Sequence, residues 1–331
     1  MERMAGSEHR LKKELRNAGI SREAIDAAWP SWWSESLIDE PSGEAELRFA
    51  LSRRLGLSAK SLLGERVEFI WNDEAFFKHL SAKDVTQKAA ITSFGMAIGR
   101  LLVQGTSQGP GLEGFTALVL REAILKSQPA VDIGSILSTC WALGVPVVQL
   151  NVFPLNSKSM HAMVVHHEGR HAVLLARAAT YPAQAAFTLA HEVAHAALGH
   201  LGDAPALVDM EDPASAVDAD DQETQADRFA LELLTGSAEP DIRIEARRFS
   251  GVSLADAVMK VGPQHRIDPS TLALCAGYQR SAWPAAMQAL AIIEPDPVNV
   301  GSVVNQIAAT QLDWDRMGPE SRDWIERVLD L

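Results

Sequence analysis

The sequence is poor in cysteine. Its 331 residues include only two, Cys140 and Cys275, which lie far apart in the chain. Two distant thiols exclude the disulfide framework of a small secreted domain and provide no pair for a cysteine-ligated metal site. The same scarcity is typical of a reducing compartment, so we expect a cytoplasmic protein.

Long apolar runs are also missing. The best candidate, residues 89–103, is interrupted by Arg100, whereas a helix needs about 20 apolar residues to cross a bilayer. Residues 1–19 lack the apolar core of a signal peptide. The sequence therefore predicts neither membrane insertion nor secretion.

Basic residues are scarce relative to acidic ones. The chain has 30 lysines and arginines against 43 aspartates and glutamates, for a net charge of -13. A field of this sign opposes loose binding to nucleic acids or anionic membranes. Between residues 203 and 232 there are ten acids and a single base, Arg228. Such a stretch is typical of a solvated loop, but it can also concentrate cations or attract a basic partner. The ten acids are Asp203, Asp209, Glu211, Asp212, Asp218, Asp220, Asp221, Glu223, Asp227 and Glu232.

Apolar residues make up 47% of the chain, which is enough to bury a substantial core. Helical periodicity dominates both ends, and a mixed pattern occupies the middle. The glycine-rich segment 105–114 is the best linker candidate. We predict an N-terminal helical region over residues 1–105, a core region over 112–240 and a C-terminal helical region over 241–331.

Residues 47–63 resemble a helix-turn-helix, with a glycine turn at Gly56 and an N-cap at Ser58. Four bases lie nearby: Arg48, Arg53, Arg54 and Lys60. Because acids and bases balance over residues 1–66, direct DNA binding stays open but is not favoured over a packing or dimerisation role.

The middle of the chain predicts an α+β core. Residues 145–150 form a short apolar run, and residues 161–167 and 170–177 are β-rich runs separated by Glu168-Gly169, which indicates a hairpin. A helix follows from Pro182. We therefore expect a mostly helical α+β protein with a small three-stranded sheet.

The motif His191-Glu192-Val193-Ala194-His195 carries the clearest chemical signal. On a helix, residues four apart lie on one face, so His191 and His195 can ligate one metal ion. Zinc suits two imidazoles with a carboxylate as third ligand. Glu192, one position on, is placed to act as general base toward the attacking water.

A third ligand must come from elsewhere in the chain. Glu223 and Asp227 are four apart on a predicted helix, so Glu223 can bind the metal while Asp227 fixes the ring of a ligating histidine. His200 is too close to His195 for the third histidine of a metzincin, and we interpret it as a helix C-cap or an exposed residue. We expect one Zn²⁺ per chain.

The segments Phe187-Thr-Leu-Ala-His-Glu-Val-Ala-His195 and Glu223-x-x-Ala-Asp-x-Phe-Ala-x-x-Leu-Leu234 resemble the ImmA/IrrE-type metallopeptidases, a family of compact bacterial gluzincins. The resemblance is clearest over residues 132–234. It implies a zincin-like core, in which the small sheet packs on the helix of His191 and His195 and on the helix of Glu223. It also implies His191, His195 and Glu223 as zinc ligands, Glu192 as catalytic base and Asp227 as a supporting residue. One departure is that Thr235-Gly236 stands where relatives often have Met-Pro.

This resemblance implies a regulatory endopeptidase that cleaves a helix-turn-helix transcriptional repressor, as in stress-response or mobile-element control. Two other functions stay open. The zinc fold can hold a helix-turn-helix partner without cutting it, as in a toxin–antitoxin or antirepressor pair, or the N-terminal region can regulate transcription directly. The oxyanion donor is also open, with His161, His166, His167 and His171 as candidates.

Overall fold

The computed structural model describes residues 4–34, 37, 41–64, 66–71, 75–78, 85–155, 160–210, 221–242, 249–296 and 298–331. It is mostly helical, with 59% of residues in helices, and it contains a small mixed sheet. The predicted α+β class is therefore confirmed. No helix in the described ranges has the length and apolar character needed to span a membrane.

The helices are distributed along the whole chain, and the strands lie mainly in its middle. The helices are α1 (Met4–Asn17), α2 (Arg22–Ala28), α3 (Pro41–Leu55), α4 (Ala59–Leu63), α5 (Val85–Gln104), α6 (Ala117–Leu125), α7 (Ile133–Ala142), α8 (Pro182–Ala197), α9 (Asp221–Thr235), α10 (Gly251–His265), α11 (Pro269–Gln279), α12 (Trp283–Ile293), α13 (Val300–Gln311) and α14 (Pro319–Leu329). The strands are β1 (Phe76–Lys78), β2 (Val147–Gln149), β3 (Ala162–His167), β4 (Arg170–Leu175) and β5 (Ala206–Asp209).

The sheet has five strands in the order β1-β5-β3-β4-β2. Strands β3 and β4 form the predicted hairpin, and its two turn residues, Glu168 and Gly169, both have positive φ (52° and 72°). Two residues of this conformation match the twist of the flanking strands. Strand β5 runs antiparallel to β3, whereas β1 and β2 are parallel to their neighbours.

The prediction of three strands was wrong because β1 and β5 were missed. They have only three and four residues, too few for an alternating pattern to stand out. Strand β5 also lies within the acidic stretch of residues 203–232, whose composition is typical of a solvated loop. Residues 211–220 of that stretch lie outside the described residues.

Side chains of the hairpin alternate between two cores. Met163, Val165 and Leu174 belong to one apolar cluster, and Val164 and Val173 to the other. Helix α5 covers the first face, and α8 covers the second together with α7 and α9. The sheet thus separates the helix that carries the histidine motif from the N-terminal helices.

Helix α5 lies unusually close to the sheet. A Cβ added at Gly95 would come within 2.2 Å of Met163 Sδ, and one at Gly99 within 2.6 Å of Val165 Cγ1. Only glycine allows this approach, since such distances are well inside van der Waals contact. The two glycines lie one helical turn apart and mark the face of α5 that contacts strand β3.

The helix-turn-helix-like segment consists of α3, a turn at residues 56–58 and α4, with Ser58 accepting a hydrogen bond from the Ser61 backbone as the N-cap. Two of its four bases face the protein interior. Arg48 donates to the Leu62 carbonyl, and Arg54 donates to the carbonyls of Ala28 and Glu320. These two guanidinium groups hold helices together, whereas Arg53 and Lys60 are exposed.

Candidate metal centre

Helix α8 carries the histidine motif and begins at Pro182. Proline is accepted in the first turn of a helix because the backbone N–H that it lacks would have no partner there. The helix brings His191 and His195 to one side, with their Nε2 atoms 3.0 Å apart. Both side chains are fully buried. Two imidazole nitrogens this close, facing the same point, can share one cation.

Two further elements bring carboxylates to the same point. Helix α9 packs on α8 and places Glu223 Oε2 3.3 Å from His191 Nε2 and Glu223 Oε1 3.7 Å from His195 Nε2. Strand β5 ends at Asp209, whose Oδ2 lies 3.5 Å and 4.0 Å from the same two nitrogens. Both acids are buried. The site therefore contains two imidazoles and two carboxylates.

The outer ring nitrogens of both histidines also have partners. His191 Nδ1 lies 2.9 Å from Asp227 Oδ1. His195 Nδ1 lies 2.9 Å from His200 Nδ1, and His200 Nε2 lies 3.2 Å from Gln225 Oε1. A partner on Nδ1 fixes the ring orientation and leaves Nε2 directed at the metal position.

Glu192 lies beside this group and is fully buried. Neither of its carboxylate oxygens has a hydrogen-bond partner among the described residues. Burial, reinforced by the negative charge of Asp209, raises the pKa of Glu192 well above its usual value. A buried carboxyl group without partners is costly unless it serves a purpose, and a raised pKa suits a group that exchanges protons.

The charges of the site perturb one another strongly. Burial alone would lower the pKa of His191, but the carboxylates of Asp209, Asp227 and Glu223 outweigh burial and raise it well above its usual value. Burial opposes ionisation of Asp209, yet the neighbouring histidines lower the pKa of this carboxyl group. The site is therefore arranged to concentrate positive charge among buried carboxylates.

These residues fit a bound divalent metal ion. One ligand atom from each of His191, His195, Asp209 and Glu223 lies within 4.8 Å of all the others. Neither oxygen of Asp209 has a hydrogen-bond partner among the described residues, as expected for a carboxylate that serves a cation. The set of ligand atoms and the buried oxygen atoms without hydrogen-bond partners both indicate the same position for the metal ion.

A family model described as Peptidase U49 matches residues 167–270. No curated protein and no solved structure matches the chain. The chain is similar to a peptidase family. The peptidase-like segment extends from the end of β3 to the start of α11 and includes all the residues of the metal centre. The similarity therefore supports a peptidase function for this centre.

The structure brings together the residues singled out from the sequence. His191, His195 and Glu223 meet at one point of the peptidase-like segment, Glu192 lies beside them, and Asp227 contacts His191. Their assigned roles stay predictions. The candidate oxyanion donors lie in two places. His161 bonds to Thr188 of α8. His166, His167 and His171 lie at the turn end of the hairpin, about 15 Å along the strand from the end that is near the metal centre.

Two residues of the site were missed. Asp209 was one of ten acids between residues 203 and 232, and nothing in its neighbours distinguishes it. His200 is buried and bonded to His195, so its interpretation as an exposed residue was wrong. Gly199 has a φ of 70° and turns the chain back, with the His200 N–H bonding to the His195 carbonyl. The Leu198-Gly199 pair is the sequence signal that could have predicted this reversal of the chain after α8.

Proposed function

We propose that the protein is a zinc-dependent endopeptidase with His191, His195 and Glu223 as metal ligands and Glu192 as the catalytic base. The observation that carries the proposal is the convergence of these three ligands beside Glu192, a buried carboxylate that accepts no hydrogen bond from the described residues. The similarity to a peptidase family over residues 167–270 supports it. The ImmA/IrrE-type resemblance rests on the two motifs alone.

Zinc is the metal that this donor set favours. Imidazole suits zinc, copper, iron and nickel, whereas carboxylates without imidazole suit magnesium and calcium. Two histidines and one carboxylate are the ligands of the catalytic zinc in thermolysin-type peptidases. Zinc held there supplies Lewis-acid polarisation of the scissile carbonyl oxygen.

The residues around the metal position perform the remaining chemistry. One carboxylate oxygen of Glu192 accepts a proton from the attacking water and returns it to the leaving amine. Its burial moves its pKa toward the range in which both transfers are feasible at neutral pH. Asp227 holds the His191 ring with Nε2 facing the metal, so that the ligand needs no reorganisation during the reaction.

The substrate that we propose is a helix-turn-helix repressor. The family resemblance suggests it, and the net charge of -13 suits a basic DNA-binding protein. Direct DNA binding by this chain is less favoured. Arg48 and Arg54 of the helix-turn-helix-like segment are buried and bonded within the protein, which removes them from contact with phosphates.

The test is a Glu192→Gln variant compared with the wild type in extracts of the source cell, with new protein N-termini labelled and identified. We expect zinc binding to be retained at about one ion per chain and the new N-termini, located in helix-turn-helix proteins, to disappear. Glu122→Gln, on the exposed face of α6, is the matched control and should cleave normally. Equal cleavage by wild type and Glu192→Gln would contradict the role of Glu192 as the catalytic base.

A second function is favoured by one observation. Asp209 adds a fourth protein ligand, and zinc sites with four protein ligands are usually structural. The fold would then hold a helix-turn-helix partner without cutting it. In that case Glu192→Gln releases or retains an intact co-purified partner as the wild type does, and no new N-termini appear with either protein.

A further inference from the structure

Asp209 is fixed in place by the sheet. It is the last residue of β5, it pairs with Lys78 of β1 on one side and Ala162 of β3 on the other, and its carbonyl accepts a hydrogen bond from the His161 N–H at 2.7 Å. Its side chain is 2% exposed. The carboxylate therefore reaches the metal centre from a rigid strand rather than from an adaptable loop.

The distances around Asp209 are those of a ligand. With zinc bonds of about 2.0–2.1 Å, neighbouring ligand atoms of a tetrahedral site are roughly 3.3 Å apart. The described separations among the two imidazole nitrogens and Glu223 are 3.0, 3.3 and 3.7 Å. Asp209 Oδ2 lies 3.5 and 4.0 Å from the imidazole nitrogens. It thus lies close enough to the other three side chains to bind the same ion.

A fourth protein ligand conflicts with catalysis. A catalytic zinc site has three protein ligands and leaves one position for water or substrate, whereas a structural site is closed by four. Yet a closed site has no use for Glu192, a fully buried carboxyl group that lies beside the ligands. A site with four protein ligands and a catalytic Glu192 are compatible if the fourth ligand can leave the metal.

We propose that Asp209 is a displaceable fourth metal ligand that holds the peptidase in a latent state. This inference rests on the proposed function and names how that site is regulated. Rotation of the Asp209 side chain about χ1 withdraws the carboxylate without breaking the strand pairing, and it opens one corner of the site beside Glu192. Asp209 Oδ2 lies farther from the two imidazole nitrogens, at 3.5 and 4.0 Å, than the Glu223 oxygens do, at 3.3 and 3.7 Å, which makes Asp209 the ligand that leaves.

The test compares Asp209→Asn, which preserves size but replaces an anionic ligand with a poor one, with the wild type. The matched control is Asp268→Asn, which makes the same change at the N-cap of α11, where asparagine caps as well as aspartate. Each protein is loaded with cobalt as a spectroscopic probe and titrated with acetohydroxamate, a small metal-binding anion. Zinc affinity is measured by competition with a chromogenic chelator.

We expect wild type and Asp268→Asn to keep their cobalt spectrum unchanged up to high acetohydroxamate, as a closed site would. Asp209→Asn should bind zinc at least tenfold more weakly and bind acetohydroxamate at least tenfold more tightly. Identical spectra, zinc affinities and acetohydroxamate affinities in all three proteins would overturn the proposal. If Asp209→Asn does not fold, the wild-type titration alone still tests the proposal. Ready binding of acetohydroxamate to the wild type would overturn it.

Cleavage is measured separately so that the two proposals can fail independently. If Asp209 is a latch, Asp209→Asn cleaves its substrates several-fold faster than wild type in the labelled-extract assay. If the cobalt spectra are as expected but no protein cleaves, the result supports Asp209 as a metal ligand and contradicts the peptidase function. Cleavage by wild type with an open cobalt site supports the function and contradicts the latch.

Discussion

His191 is held by carboxylates on both ring nitrogens. Its Nδ1 lies 2.9 Å from Asp227 Oδ1, and its Nε2 lies 3.3 Å from Glu223 Oε2. These carboxylates favour the protonated ring, and they outweigh burial to raise the pKa of His191 well above its usual value. A metal ion and a proton therefore compete for Nε2 of the same residue.

This competition predicts a pH-dependent stabilisation by zinc. A raised pKa means that the proton stabilises the folded metal-free protein fully below the unfolded value of about 6.5, and that this contribution is lost as pH rises through the folded-state value. Zinc requires the neutral ring. We therefore expect the difference in Tm between zinc-loaded and metal-free protein to widen as pH rises from about 6 to 8, measured by scanning calorimetry.

An internal reference is available for this measurement. Burial lowers the pKa of His171 to about 4, so across the range this ring titrates only in the unfolded state, and its effect is the same with and without zinc and cancels in the difference. A Tm difference that is constant with pH would mean that His191 is not protonated when the metal is absent, and it would contradict the raised pKa.

Individual site residues were predictable where local geometry places them. His191, Glu192 and His195 share one helix, and the spacing of Glu223 and Asp227 on α9 identifies a second ligand-bearing face. Asp209 was not predictable, because its position depends on the pairing of β5 with β1 and β3, two contacts distant in sequence. No local pattern distinguishes this acid from the nine others between residues 203 and 232.

At the scale of elements, helix α5 packs closely against the sheet. An alanine Cβ at Gly99 would lie 2.6 Å from Val165 Cγ1, and Val165 is fully buried between the helix and the neighbouring strands. We expect Gly99→Ala to destabilise the protein by about 1–3 kcal/mol through overpacking, measured by urea unfolding.

Gly134→Ala provides the matched control for this substitution. Gly134 also lies within a helix, α7, but its added Cβ would meet only Asp132 Oδ1 at 3.6 Å, an ordinary contact. Both substitutions gain up to about 1 kcal/mol of helix propensity, so the difference between them isolates packing. A Gly99→Ala protein as stable as Gly134→Ala would show that α5 can move away from β3 at no cost.

Elements were predictable where an apolar run or recognisable turn residues marked them. The hairpin of β3 and β4 followed from two apolar runs around Glu168-Gly169, β2 from the apolar run 145–150, and α8 from Pro182 and a periodic pattern. Strands β1 and β5 were not, since neither is longer than two full alternations and each exists through pairing with a distant segment. The number of strands therefore required the structure.

At the scale of the whole molecule, one apolar cluster joins regions that are distant in sequence. It combines Leu15 of α1, Phe94 of α5, Leu174 of β4 and Trp324 of α14. Phe94 and Trp324 pack edge to face with ring centroids 5.8 Å apart. The division into regions 1–105, 112–240 and 241–331 stays a prediction, and this shared cluster bears directly on it.

The shared cluster predicts that residues 1–105 do not fold alone. Without the sheet and α14, the buried apolar side chains of α5, including Phe94, Ile98 and Leu102, would face water at a cost of about 1.5–3 kcal/mol each. We expect the isolated fragment to show no cooperative thermal transition by circular dichroism, whereas the full chain does. A sharp transition in the fragment would instead establish an independent N-terminal domain and reopen the question of DNA binding.

The complete burial of His191, Glu192 and His195 has a kinetic consequence. No chelator can touch an ion held among side chains that solvent does not reach, so exchange of the ion must wait for the surrounding helices and strand to part. The rate of metal loss then measures how often this part of the protein opens and becomes independent of scavenger concentration once the scavenger is in excess. A peptide chain on its way to Glu192 depends on the same opening event.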